Sequence, residues 1–136
     1  MSKISVYYDV EKTAELWEKT TFNLRKDLKG INDDELKEIA EEIGHVIENG
    51  VDRPPITSAI YWGKKRKANY AKIRVADVKH DYGKSSGYRC IVLVDCVHNC
   101  AFLLHIYKHG QGKDDELTKE DKNKLRKLVD EYIESL

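Results

Sequence analysis

The sequence predicts an α+β domain, with helices grouped around a mostly antiparallel four-stranded sheet. Three observations lead there. The first 50 residues carry two stretches with apolar residues at helical spacing, and residues 70–108 carry alternating or continuous apolar runs. A capped amphipathic segment then closes the chain. The expected order is β-α-α-β-β-β-α, with the two N-terminal helices paired as a hairpin that packs on the sheet and a C-terminal helix closing it.

The opening "KISVYY" alternates, which places Ile4 and Val6 on one face of a short strand. A helix is expected from Val10 to Leu28, because Ala14, Trp17, Thr21, Leu24 and Leu28 fall on one stripe. "KGIN" breaks it. Asn32, followed by Asp33, Asp34 and Glu35, reads as an N-cap with a Glu at the capping-box position and acids near the positive helix end. Leu36, Ile39, Ala40, Ile43 and Ile47 supply the apolar face of this second helix, and Gly50 is placed to stop it.

"VDRPPIT" is a loop, because Pro54 and Pro55 neither continue a helix nor suit a central strand. After "GKKRK", residues Tyr70 to Val78 alternate, with Ala71, Ile73 and Val75 on one face and Lys72, Arg74 and Ala76 on the other. Tyr88–Asp95 and Cys100–Lys108 are apolar strands joined by the turn "CVHN". Thr118 caps a last helix whose face is Leu125, Leu128, Val129, Tyr132, Ile133 and Leu136.

A chain of 136 residues suits a single domain spanning 1–136, and its 40% apolar and 35% charged residues describe a soluble protein. No apolar run approaches the roughly 18 residues of a membrane span, and the N-terminus has no secretory h-region, so a cytoplasmic location is expected. The three cysteines, Cys90, Cys96 and Cys100, read as reduced thiols rather than a disulfide framework.

The net charge of zero hides segregation. Residues 1–56 hold 8 Lys/Arg against 13 Asp/Glu, residues 57–113 hold 11 against 3, and residues 114–136 hold 5 against 8. The middle is therefore basic between two acidic flanks, which favours a polyanionic partner if the cations share a surface. If they pair with the acidic helices, that inference disappears.

Among chemical motifs, Cys96, His98 and Cys100 alternate across the turn with Cys90 and His105 on the flanking strands, but Cys-x3-Cys without a second pair is poor zinc spacing. No metal or other cofactor is expected. Nothing in the local pattern activates a thiol nucleophile, and "GKSS" lacks the upstream glycine and strand of a P-loop. The cations say more. Lys72 and Arg74 share a strand face, Lys84 lies in a glycine-flanked loop, Arg89 opens the next strand, and Tyr107, Lys108 and His109 end the last one. Such a set suits RNA cleavage by internal attack of a 2′-hydroxyl, which needs a base, cations for the phosphorane and an acid for the leaving oxygen. Arginine matches the phosphorane because its fork donates two parallel hydrogen bonds. A solvated polar sheet face without chemistry fits the same pattern.

The series "KIRVA", "GKSSGYRCIVLV" and "FLLHIYKHGQGKDDELTKEDKNKLRKLVDEY" resembles the RelE/ParE superfamily of bacterial toxins, in particular the HigB/RelE-like branch. That family shows a Lys-x-Arg strand, a "GKsgGyR" junction, an "LLxIYaK" strand and an acidic "eDLt" turn into a closing helix. The resemblance runs from Lys72 to Tyr132; in the N-terminal half it is limited to the strand-helix-helix order. It implies a toxin fold with two helices on a curved antiparallel sheet. It also implies a metal-independent mRNA endoribonuclease that cuts in the ribosomal A site, with the 70S ribosome, mRNA and rRNA as partners and a helix-turn-helix antitoxin restraining it.

Carried over residue by residue, Lys72 and Arg74 match the Lys-x-Arg pair, Lys84 and Arg89 the basic residues of the glycine loop, and Tyr107 and Lys108 the Tyr and Lys of the last strand. Arg89, Tyr107, Lys108 and Lys84 are the implied catalytic set, with Arg89 on the transition-state phosphate. The stretch "GKKRKANY" is more basic than the family's pattern, so Lys64, Lys65, Arg66 and Lys67, with Lys72, Arg74 and His109, are expected to contact the RNA backbone rather than to catalyse. Because "IYKHGQGKDDELT" is longer than the family's "IYaKneKeDLt", Lys108, His109 or Lys113 each match the terminal Lys. Two other readings stay open: a ParE-like inhibitor of DNA gyrase, and a toxin-fold binding protein without catalysis.

Overall fold

A computed structural model of the protein describes residues 4–48, 61–62, 65, 67–75, 87–108 and 117–136. The elements are β1 (Ser5–Tyr7), α1 (Ala14–Trp17), α2 (Leu24–Asp27), α3 (Asp33–Glu48), β2 (Tyr61–Trp62), β3 (Ala68–Val75), β4 (Tyr88–Asp95), β5 (Cys100–Lys108) and α4 (Lys119–Glu134). They form an α+β fold around one sheet of order β1-β5-β4-β3-β2. The β2–β3, β3–β4 and β4–β5 pairings are antiparallel, and β1 joins β5 in parallel. Four of these strands match the expected ones; the two-residue edge strand β2 is additional. No helix among the described residues is long and apolar enough to cross a membrane.

Strand register assigns the two faces. Residues directly opposite in a ladder share a face, so Arg74, Arg89 and Tyr107 lie together, as do Lys72, Ile91 and His105, and Tyr70, Leu93 and Phe102. Tyr7 joins this face through Phe102, its ring stacked at 5.2 Å. The other face carries Ile73, Cys90 and Ile106, then Val92 with Leu103, and Val6 with Ala101.

Each face is covered by different helices. A Cβ added at Gly44 of α3 would lie 3.4 Å from the Ile4 and Val6 side chains, so α3 packs on the second face. On the first face, Phe22 and Asp27 meet His105, and Tyr132 of α4 meets both Phe102 and Asp95. Helix α3 and the segment α1–α2 therefore lie on opposite sides of the sheet, and the expected helical hairpin is not formed. Central position and cover on both faces explain β4, in which all eight residues are buried.

The expected helix from Val10 to Leu28 is broken into two single turns. Thr20 donates its hydroxyl to the Trp17 carbonyl at 2.6 Å and accepts the Phe22 N–H at 3.0 Å, while Asn23 Oδ1 accepts the Lys26 N–H at 3.1 Å. Short polar side chains thus offer the backbone partners that a continuous helix would withhold. Trp17 and Leu24 are still buried, but Thr21 is exposed and donates to Asp121 at the start of α4.

The remaining caps follow the expected chemistry. Asn32 Oδ1 accepts the Glu35 N–H at 2.8 Å, and Glu35 Oε1 accepts the Tyr88 hydroxyl at 2.5 Å, fixing the start of α3 to β4. Thr118 and Asp121 form a full capping box at α4. Leu36, Ile39, Ala40 and Ile43 of α3, and Leu125, Leu128, Val129 and Ile133 of α4, face the core. Leu136 does not; it lies past the last helical turn and is 40% exposed. Gly50, Pro54, Pro55 and residues 76–78 lie outside the described residues.

Candidate functional site

The site is built on the end of the sheet where β3 finishes, β4 starts and β5 finishes. Alternation in β3 buries Ala71, Ile73 and Val75 while leaving Arg74 exposed and Lys72 half-buried. Arg74 pairs directly across from Arg89, and Arg89 directly across from Tyr107. Three of the expected site residues therefore form one row across three strands, with Lys72 one step along the same face. Lys72 Nζ stands 6.0 Å from the centre of the Tyr107 ring.

Arg89, although it opens its strand, is only 4% exposed. Its strand is central, so neighbours stand on both sides of the guanidinium, and Nη1 donates to the Tyr88 carbonyl at 3.5 Å. Arg74, in contrast, is exposed and makes no ion pair among the described residues. Arg74 and Arg89 thus place two cations in one row of this face, a setting that suits an anion.

The face on which Tyr107 lies is decided by a bulge. Ile91 pairs with His105 but Val92 pairs with Leu103, so Leu104 is an extra residue in β5. Phe102, His105 and Tyr107 consequently share a face, at a spacing of three and then two. Without the extra residue, Leu104 and Ile106 would take this face instead, with Ile106 opposite Arg89. The burial of "FLLHIY" follows the bulge: its half-buried residues fall at 102, 105 and 107, breaking a strict period of two.

His105 is the residue of this face that the cationic pattern missed. Its Nδ1 lies 2.6 Å from Asp27 Oδ2, and its ring stacks with Phe22 (4.2 Å, 2° between planes) and with Tyr107 (5.0 Å, 30°). The Asp27 carboxylate also accepts the Ile106 N–H at 3.4 Å, which ties α2 to β5. Asp121 stands nearby. Burial acts to raise its carboxyl, but hydrogen bonds from Thr21 and Thr118 and the closeness of His105 hold it below the ordinary range.

Other expected site residues are elsewhere. Lys108 pairs with Tyr88 on the opposite face, its Nζ 5.6 Å from the Tyr88 ring centre, so it does not join the row of Arg74, Arg89 and Tyr107. Lys65 and Lys67 precede β3, and Lys67 accepts the Cys96 N–H at the β4–β5 turn. Seven residue steps of strand, roughly 23 Å, separate that end of β3 from Val75. The described part of "GKKRK" and the arginine row thus occupy opposite ends of the sheet. Lys64, Arg66, Lys84, His109 and Lys113 lie outside the described residues.

The cysteine and histidine cluster resolves into a structural turn. Asp95, fully buried, accepts the Val97 N–H (2.9 Å), the His98 N–H (2.8 Å) and the Tyr132 hydroxyl (2.6 Å), and its Oδ2 lies 2.9 Å from His98 Nδ1. Burial pushes this carboxyl up, but those hydrogen bonds prevail and hold it below its usual value. Asn99 closes the turn in the left-handed region at φ 54°. Burial raises all three thiols, Cys100 to about 11, with the Asp95 charge adding to the rise at Cys96 and Cys100. None is a thiolate nucleophile at neutral pH. Among the described residues no group of three or more His, Cys, Asp or Glu side chains could hold a metal ion.

Compared with known proteins, the chain matches no family model, no curated protein and no solved structure. The likeness to the RelE/ParE superfamily rests on its residues alone.

Proposed function

We propose that the protein is a metal-independent endoribonuclease of the RelE/ParE toxin type, acting on mRNA in the ribosomal A site and restrained by a cognate antitoxin. One observation carries the reading: Arg74 and Arg89 stand directly opposite each other on a sheet face they share with Tyr107 and Lys72. A phosphodiester is the anion such a row suits. Exposed Arg74 receives the phosphate first, Lys72 adds charge beside it, and buried Arg89 supplies positive potential from beneath, where little solvent screens it. Tyr107, its ring stacked with His105, adds a hydroxyl to the same row for positioning. These cations stabilise the dianionic phosphorane formed when a 2′-hydroxyl attacks its own phosphodiester.

Mapping mRNA ends after induced expression tests the proposal. Cuts inside translated codons are expected, and Arg89→Ala, Arg74→Ala and Tyr107→Phe should each reduce them by about tenfold or more at unchanged protein level. Growth arrest without such cuts would sink the proposal; if supercoiling defects and a DNA-damage response accompanied it, a gyrase inhibitor would be the better reading. The absence of any growth defect would favour a binding protein.

A further inference from the structure

We infer that His105 is the base that takes the proton of the attacking 2′-hydroxyl, and that Asp27 is the residue that positions it. The inference rests on the endoribonuclease reading and adds to it the one component that the arginine row lacks, a proton acceptor.

The geometry is specific. His105 is fixed on four sides: by the strand beneath it, by the Phe22 and Tyr107 rings stacked with it, and by Asp27 on Nδ1. An ionised carboxylate at 2.6 Å accepts a hydrogen from Nδ1, and in the neutral imidazole that leaves the lone pair on Nε2. Nε2 has no hydrogen-bond partner among the described residues, and the side chain is 20% exposed. The imidazole is thus held in the tautomer a base needs, on the face that presents Arg74, Arg89 and Tyr107. Among the described residues, the charged and titratable groups around it are Asp27 from α2, Asp121 from α4, Tyr107 from its own strand, Arg89 from the adjacent β4 and Lys72 from β3 beyond it.

The step balances without a co-reactant other than water. The 2′-oxygen forms a bond to phosphorus as its proton moves to Nε2, and the bond from phosphorus to the 5′-oxygen breaks. The leaving 5′-oxygen takes a proton from water, and the imidazolium returns its own to solvent. The products are a 2′,3′-cyclic phosphate and a 5′-hydroxyl end.

Single-turnover cleavage of mRNA on programmed 70S ribosomes, followed from about pH 5 to 9, is the test. The unaltered protein is expected to cleave faster as the pH rises, and His105→Gln should slow cleavage by roughly 10²–10³-fold and remove that rise, with ribosome binding within about twofold. Asp27→Asn should slow it by roughly tenfold, again at unchanged binding, because a neutral amide no longer stabilises the imidazolium and its NH2 can hold the tautomer with the lone pair on Nδ1. A cleaving protein whose His105→Gln variant retains its rate and pH profile overturns this inference and leaves the endoribonuclease reading intact. If His105→Gln does not fold, Asp27→Asn decides in the same way: an unaltered rate and profile refutes the assignment. Absence of cleavage by the unaltered protein overturns both.

Discussion

Replacing Tyr132 by Phe isolates the contact that joins α4 to the β4–β5 turn. The change deletes one hydroxyl, which donates at 2.6 Å to Oδ2 of the fully buried Asp95. Ring packing against Phe102 at 5.9 Å is retained, so no cavity is made. Asp95 keeps the Val97 and His98 backbone donors and the His98 ring. The cost is therefore that of one hydrogen bond to a charged group, about 1.5–3 kcal/mol, with no added penalty for an orphaned carboxylate. For a domain of this size it corresponds to a fall in Tm of roughly 5–10 °C.

The pH dependence gives a second readout. Asp95 is held below its ordinary value, so its contribution is complete above the unfolded value of about 4 and is lost as the pH falls through the lower folded-state value. The stability gap between the two proteins should be widest at neutral pH and narrow on acidification. Urea unfolding at a series of pH values measures both, with unchanged m confirming that the same surface is exposed. A gap under about 0.5 kcal/mol at pH 7, or one that persists unchanged into acid, would refute the assignment of Asp95 as a charged acceptor.

Three further outcomes are expected. Gly44→Ala should stabilise α3 by about 0.5–1 kcal/mol, since its Cβ meets Ile4 and Val6 at ordinary contact distance, whereas Gly44→Leu should destabilise in the same denaturation assay. Thr118→Ala removes the capping box of α4 and should cost about 1 kcal/mol, read in the same assay; a neutral result would mean that this end is held by packing alone. Binding of single-stranded RNA should weaken with salt, and Arg74→Ala should lower the slope of log affinity against log salt by about one unit; an unaltered slope would remove Arg74 from the phosphate contacts.

Some elements were legible in the residues and others were not, for identifiable reasons. The stripe Leu36, Ile39, Ala40 and Ile43 and the Thr118 cap specify α3 and α4 locally, so both appear as expected. The segment from Val10 to Leu28 has an equally good stripe, but Thr20 and Asn23 hydrogen-bond to their own backbone and divide it, an outcome periodicity does not weigh. At the site, Lys72, Arg74, Arg89 and Tyr107 were recognisable by type and spacing. His105 was not, because its partner Asp27 is 78 residues away and on a different element. Lys108 follows Tyr107 directly in the chain, yet the pleat sends it to the other face.

The sequence by itself determined the α+β class, the apolar strands, the helix caps and the basic middle of the chain, because these follow from periodicity, capping and composition over a few residues. Only the tertiary structure decided which basic residues share a surface. The extra residue Leu104 turns His105 and Tyr107 toward Arg89, and the length of β3 keeps Lys65 and Lys67 away from Arg74. A one-residue change of register reverses a strand's faces, and distance along a strand grows by more than 3 Å per residue. Neither effect is expressed in composition; both are fixed by how the strands pair.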